Sequence, residues 1–110
     1  MKIPNADRAI ITQEKITLYL LNVEHKRGGS KAVLLTSFGY TADDWSRLAD
    51  NLRSYHLTAD VTLVRETAYG IRYEIRVPLI TPDDRSLTVR SIWQVDVGTD
   101  TPRFITLFPD

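Results

Sequence analysis

The chain contains no cysteine, which removes disulfides, thiolate nucleophiles and cysteine-ligated zinc from consideration. It has two histidines, His25 and His56, too few for a three-histidine metal centre. An excess of either charge is missing too, because fourteen Lys and Arg balance fourteen Asp and Glu. That equality argues against a broad cationic coat for nucleic acid, while leaving room for a local patch that steers an anion. No apolar run approaches the roughly 20 residues that span a bilayer. Met1-Lys2-Ile3-Pro4-Asn5 lacks an apolar secretory core, so a cytoplasmic protein is expected. Also absent are a P-loop, a G-x-S-x-G elbow, an H-E-x-x-H pair and a dinucleotide fingerprint, and no cofactor or metal is expected. What remains is ordinary globular composition, 43% apolar and 25% charged. At 110 residues it suffices for one core, so 1–110 should be a single domain.

Residues 1–11 read as a docked arm anchored by Ile10 and Ile11, and Thr12 as an N-cap. Ile16, Tyr19, Leu20 and Val23 recur at the spacing of a half-buried helix, and Gly28 and Gly29 break the chain after it. Ser30 opens a short second helix carrying Ala32, Val33, Leu35 and Phe38, stopped by Gly39. Thr41, with Asp44 three residues on, opens a third with the stripe Trp45, Leu48, Ala49, Leu52 and Tyr55. The acidic pair Asp43-Asp44 then complements the helix dipole.

After Leu57 the period changes to two. Val61 and Leu63 suggest a first strand; Ile71, Tyr73, Ile75, Val77 and Leu79 make a second. Thr81-Pro82-Asp83-Asp84 is a turn. Leu87, Val89, Ser91, Trp93, Val95 and Val97 share one face of a third strand, and Gly98-Thr99-Asp100-Thr101 turns the chain into a last one carrying Phe104, Thr106 and Phe108. The fold class is α+β: about three N-terminal helices, then a four-stranded antiparallel meander over residues 59–108 with one face against the helices. Leu79 opposite Leu87 puts Tyr73 opposite Trp93, and Val97 opposite Pro102 puts Trp93 opposite Thr106. Tyr73, Trp93 and Thr106 then form one row, with Ser91 and Ile75 in the next.

Glu24 to Lys31 gathers one imidazole and three cations in a glycine-containing loop at a helix start, where backbone amides favour a phosphate; a solvated basic loop is the plainer explanation. His56 should do no more than cap a helix end, so changing it should matter little. Tyr73 and Trp93 on the core face are most simply packing. Ser91 and Thr106 on that face need partners or line a cleft. Arg72, Arg76 and Arg90 beside Glu74 and Asp96 on the other face make either an RNA platform or an ordinary exposed face with cross-strand ion pairs.

A resemblance runs through Lys2-Ile3-Pro4-Asn5-Ala6, Tyr19-Leu20-Leu21-Asn22, His25…Gly28…Lys31-Ala32 and Phe38-Gly39-Tyr40. It continues through Tyr69-Gly70-Ile71-Arg72-Tyr73, Val89-Arg90-Ser91-Ile92-Trp93 and Pro102-Arg103-Phe104-Ile105-Thr106. The sequence is similar to a bacterial family of unknown function whose members occur free-standing and as C-terminal modules of secreted toxins. Those modules resemble the fold of barnase, EndoU, colicin and RelE-type ribonucleases. The family's pattern falls on His25, Lys31, Tyr73, Trp93, Arg103 and Thr106, with Ser91 where a threonine is usual and Val33, Leu34 and Leu35 where an aromatic is.

The resemblance implies metal-independent RNA cleavage by 2′-hydroxyl attack on phosphorus. His25 would move a proton, Lys31 and Arg103 would stabilise the developing charge, Ser91 or Thr106 would orient an oxygen, and Tyr73 or Trp93 would stack a base. His25 and Lys31 should converge on the edge of the Tyr73 row, in a cleft between helices and sheet. The sequence offers no candidate for the opposite proton-transfer role. The alternative is a non-catalytic module whose partner is a cognate antitoxin or immunity protein, and the balanced charge suits it.

Overall fold

The computed structural model describes residues 1–27 and 29–110. Gly28, expected to help break the chain after the first helix, lies outside the described residues. A short 3₁₀ turn (Ala6–Arg8) and a π-helical turn (Lys15–Leu20) lead to α1 (Gly29–Ser37) and α2 (Trp45–Asn51). A second π turn (Leu52–His56) extends α2. Four strands follow: β1 (Leu63–Thr67), β2 (Gly70–Ile80), β3 (Ser86–Asp96) and β4 (Arg103–Pro109). They form one antiparallel sheet in the order β1-β2-β3-β4, the expected α+β meander. No helix is long and apolar enough to cross a membrane among the described residues.

The helices are shorter than their patterns suggest, each for a local reason. The first is wound wide, the Leu21 N–H donating five residues back to the Ile16 carbonyl at 2.8 Å. Ile16 and Leu20 are fully buried, whereas Val23 lies beyond the last turn and is exposed. The Thr12 hydroxyl accepts the Lys15 N–H, so it does cap this segment. The third helix starts at Trp45, because the Thr41 hydroxyl is taken up in a turn by the Asp44 N–H; Asp43 and Asp44 thus precede the helix. In the arm, Ile3 and Ile11 are the buried anchors. Ile10 holds through its backbone, which bonds Pro102 and Phe104 at the start of β4 while its side chain stays exposed.

Between β2 and β3 the register is as expected, with Leu79 opposite Leu87, Ile75 opposite Ser91 and Tyr73 opposite Trp93. Gly70 begins β2 at φ 144, where an added Cβ would lie 2.1 Å from the Val95 carbonyl, so only glycine fits.

Between β3 and β4 the expected register fails twice. Val97 does not pair with Pro102; the first pair is Gln94 with Arg103, then Trp93 with Phe104. Pro102 has no N–H for the ladder, and the Asp96 carbonyl is engaged by the Thr99 N–H and hydroxyl in a wider turn. Next comes a bulge: Ile92 pairs with Thr106, so Ile105 is an extra residue and the face of every later side chain flips. Phe104 and Leu107 face the core, while Thr106 leaves the Tyr73 row and turns with Phe108 to the open face.

The core lies between the helices and the closed face of the sheet. Ile16, Leu20, Leu35, Leu48 and Leu52 meet Ile75, Leu79, Val89, Trp93 and Leu107, all fully buried. Each such side chain contributes about 1.5–3 kcal/mol of transfer free energy.

Candidate functional site

The bulge at Ile105 and the π turn at Lys15–Leu20 together build a polar cluster on the outer edge of β4. The wide turn commits Ile16 and Leu20 to the core and leaves Tyr19 half-buried beside the strand. α1 begins at Gly29, where an added Cβ would stand 2.6 Å from the Val23 carbonyl. Lys31, two residues on, reaches over the β4 edge. Its ammonium donates to the Tyr19 hydroxyl at 2.9 Å and to the Thr106 hydroxyl at 3.0 Å, and those hydroxyls are 3.2 Å apart. The same ammonium sits 4.1 Å from the centre of the Phe108 ring. Among the described residues Lys31 makes no ion pair, so hydroxyls and rings hold its charge without cancelling it.

His25 packs edge-on against the Tyr19 ring, centroids 4.9 Å apart. Its Nδ1 accepts the Arg27 N–H at 3.0 Å, so the neutral ring carries its proton on Nε2 and is a donor there. The Gly29 N–H donates to the His25 carbonyl, which fixes the loop onto the start of α1. Burial pushes the Tyr19 phenol up, but the Lys31 and Thr106 hydrogen bonds and the Lys31 and Lys15 charges outweigh it. The net shift is below the usual value near 10.

Inward from this edge the open face forms a depression of about 150 Å³. Leu63, Ile92, Ile105 and Phe108 line it with Arg65, Arg72, Glu74 and Thr106. Ile92 is nearly buried although it faces away from the helices. Ion pairs partly neutralise the face, with Arg90 3.7 Å from Glu74 and Arg76 on Asp110, while Arg72 donates to the uncharged Gln94 amide oxygen. Arg65 has no ion pair among the described residues. Arg90 lies 5.5 Å from the Phe108 ring, and its Nε is buried with no hydrogen-bond partner. An orphaned donor beside an aromatic ring suits an anionic oxygen.

The structure therefore separates the residues the sequence grouped. His25, Lys31 and Thr106 join one cluster through Tyr19, at the outer edge of β4 and not between helices and sheet. Arg103 is exposed and committed to Asp96, with bonds of 2.7 and 3.2 Å that hold the Asp96 carboxyl below its ordinary value. Tyr73, Ser91 and Trp93 lie on the closed face, buried under the helices. The Ser91 hydroxyl is bonded 2.6 Å from His56 Nδ1 and accepts the Trp93 indole N–H at 2.8 Å. His56 Nε2 is 3.1 Å from the Val77 carbonyl, which can only accept. The ring is thus the neutral Nε2–H tautomer, and Ser91 donates to Nδ1. His56 is fully buried, and desolvation pushes its pKa down to about 4, against the weaker opposing effect of the Val77 bond. It is a core residue and not a surface cap.

The residue that sequence reasoning missed is Tyr19. Its place in an apolar stripe read as packing; the only signal was the hydroxyl itself, which needs a partner wherever the ring is half-buried.

No curated protein matches the sequence. A chain in a solved contact-dependent growth inhibition toxin–immunity protein complex from Klebsiella pneumoniae 342 shares the fold, with a TM-score of 0.74 over 96% of this chain and 97% of that one, at 17% identity. The family described as Domain of unknown function (DUF6883) matches residues 2–110, and the chain belongs to it.

Proposed function

We propose that the chain is a toxin-type module that cleaves RNA without a metal, by attack of a 2′-hydroxyl on the adjacent phosphate at the outer edge of β4. The observation that carries this reading is the Lys31 ammonium, held by two hydroxyls and an aromatic face with no carboxylate partner among the described residues. A cation so placed is matched to a crowded, charging phosphate. Thr106 supplies a hydrogen bond to its oxygens, and His25 stands beside them against the Tyr19 ring. Phe108 presents the ring on which a base stacks, the part first given to Tyr73 and Trp93. Arg65, Arg72 and Arg90 draw the strand across the open face. The fold shared with a chain of a toxin–immunity complex supports a place in a toxin system. Cytoplasmic RNA is the substrate this reading requires.

The test is incubation of the purified protein with total RNA and with tRNA in the presence of chelator. Cleavage leaving 2′,3′-cyclic phosphate ends is expected, and Lys31→Ala should lower it by about 10²–10³-fold. Intact RNA with the wild type would instead favour a non-catalytic module that binds a cognate toxin, antitoxin or immunity protein, a reading that the balanced charge also suits.

A further inference from the structure

Proton transfer is the part of the proposed reaction that the cluster leaves open. Cleavage by 2′-hydroxyl attack needs a base for the nucleophile and a proton for the leaving 5′-oxygen. His25 is poorly arranged for either, because its Nδ1 is occupied by the Arg27 N–H and its neutral ring already carries a proton on Nε2. We infer that Tyr19 and Lys31 form the acid–base pair of the site, with the Tyr19 oxygen as base and the Lys31 ammonium as acid. The inference rests on the ribonuclease reading above and supplies the partner that the histidine count denied it.

Three observations carry it. The two polar atoms are 2.9 Å apart, a distance that permits direct proton exchange. The groups around the phenol favour its anion: Lys31 from α1 and Thr106 from β4 hydrogen-bond to it and Lys15 from its own turn stands 5.6 Å from the ring, while His25 only packs on the ring. No carboxylate bonds the phenol among the described residues. The net downward shift of its pKa agrees with that geometry.

The steps balance without another reagent. In the fraction of molecules in which Tyr19 is ionised, its phenolate takes the 2′-hydroxyl proton as the 2′-oxygen bonds to phosphorus. The bond from phosphorus to the 5′-oxygen breaks, and that oxygen takes a proton from the Lys31 ammonium. The products are a 2′,3′-cyclic phosphate and a 5′-hydroxyl. The Tyr19 hydroxyl then passes its proton to the Lys31 amine, which restores the phenolate and the ammonium.

Tyr19→Phe keeps the ring that His25 and Lys31 pack against and removes only the oxygen. It should lower kcat by about 10²–10⁴-fold with little change in KM, and erase the ascending limb of the pH–rate profile. A phenol that merely positioned Lys31 would also lower kcat, but it would leave the ascending limb of the profile in place. A substrate with a p-nitrophenyl ester in place of the 5′-nucleoside needs no proton on its leaving group. The Tyr19→Phe defect should persist on it; recovery there would move Tyr19 to the leaving-group side and overturn the assignment. Should Tyr19→Phe fail to fold, Thr106→Val removes one bond favouring the phenolate and should move the ascending limb to higher pH, whereas an unmoved limb overturns the inference. Wild type that cleaves alongside an equally active Tyr19→Phe refutes this pair alone. Wild type that leaves every RNA intact refutes the ribonuclease reading and the pair together.

Discussion

The two histidines of this chain sit beside hydroxyls in opposite settings. His56 meets Ser91 on the closed face of the sheet, where Trp93 and the Val77 carbonyl complete a network with every partner assigned. His25 packs on Tyr19, whose hydroxyl shares Lys31 with Thr106 at an open edge. The first cluster contains a fully buried imidazole held neutral by desolvation. The second contains an ammonium with no carboxylate partner among the described residues. Similar side chains thus hold the fold together in one place and leave an uncancelled charge in the other. Which happens depends on the backbone beneath. Regular pairing carries Ser91 inward, whereas a bulge carries Thr106 outward.

Substitutions that exchange the roles test the difference most sharply. Lys31→Ala should lower RNA cleavage by about 10²–10³-fold, the usual cost of one removed electrostatic contact to a transition state. Its thermal unfolding should stay within about 0.5 kcal/mol of wild type, since Lys31 reaches over the surface of β4. His56→Ala should do the reverse. It strands the Val77 carbonyl and Ser91 beside a cavity, and urea unfolding should show a loss of about 3–5 kcal/mol. A His56→Ala protein as stable as wild type would show that the buried network does not support the fold.

The sequence carried the strands well because a sheet with one buried face writes itself in period two. It carried the β2–β3 register because a short turn leaves little freedom. The bulge was invisible for a physical reason: Phe104, Thr106 and Phe108 alternate as well as any strand, and nothing local says that Ile105 is skipped. Phe104 and Leu107, three apart and both buried, are its only trace, and that trace needs burial to be seen. Ser91 and Thr106 could not be told apart for the same reason. Lys31 and His25 were legible as a basic segment at a helix start. Tyr19 was not, because an apolar stripe explains an aromatic without using its hydroxyl.

Acidity should reach the buried cluster before the surface ion pairs. The native state keeps His56 neutral down to about 4, whereas the unfolded chain takes up that proton near 6.5. Between those values the unfolded state binds more protons, so stability is full above about 6.5 and falls as the pH is lowered towards 4. The loss is on the order of 3 kcal/mol. Asp60, Asp83, Asp96, Asp100 and Asp110 have carboxyl pKa values lowered by hydrogen bonds or charges of cationic and hydroxyl partners, so their contribution is lost only below the ordinary carboxylate range. His56→Gln can donate to Val77 and accept from Ser91 without titrating. Denaturation midpoints measured from pH 7 to 4 should slope for wild type and stay flat for the variant; equal slopes would assign the loss to other groups.

The smallest expected effect separates two aromatic rings. Trp93 is fully enclosed against Phe104 and donates its indole N–H to Ser91, so it is a structural ring. Phe108 is 38% exposed on the opposite face, with Lys31 and Arg90 near its ring and the depression beside it. If a base stacks on Phe108, Phe108→Leu removes the flat face and keeps most of the apolar volume. A stacked base is worth about 1–3 kcal/mol when its ring is cut to alanine, so the leucine variant should lose roughly the lower figure. That loss should appear in KM for RNA, with kcat and thermal stability nearly unchanged. A Phe108→Leu protein that binds RNA as wild type does would take the base off this ring and leave the open face with its cations alone. A fall in kcat without a change in KM would instead tie the ring to the position of Lys31, whose ammonium rests on it.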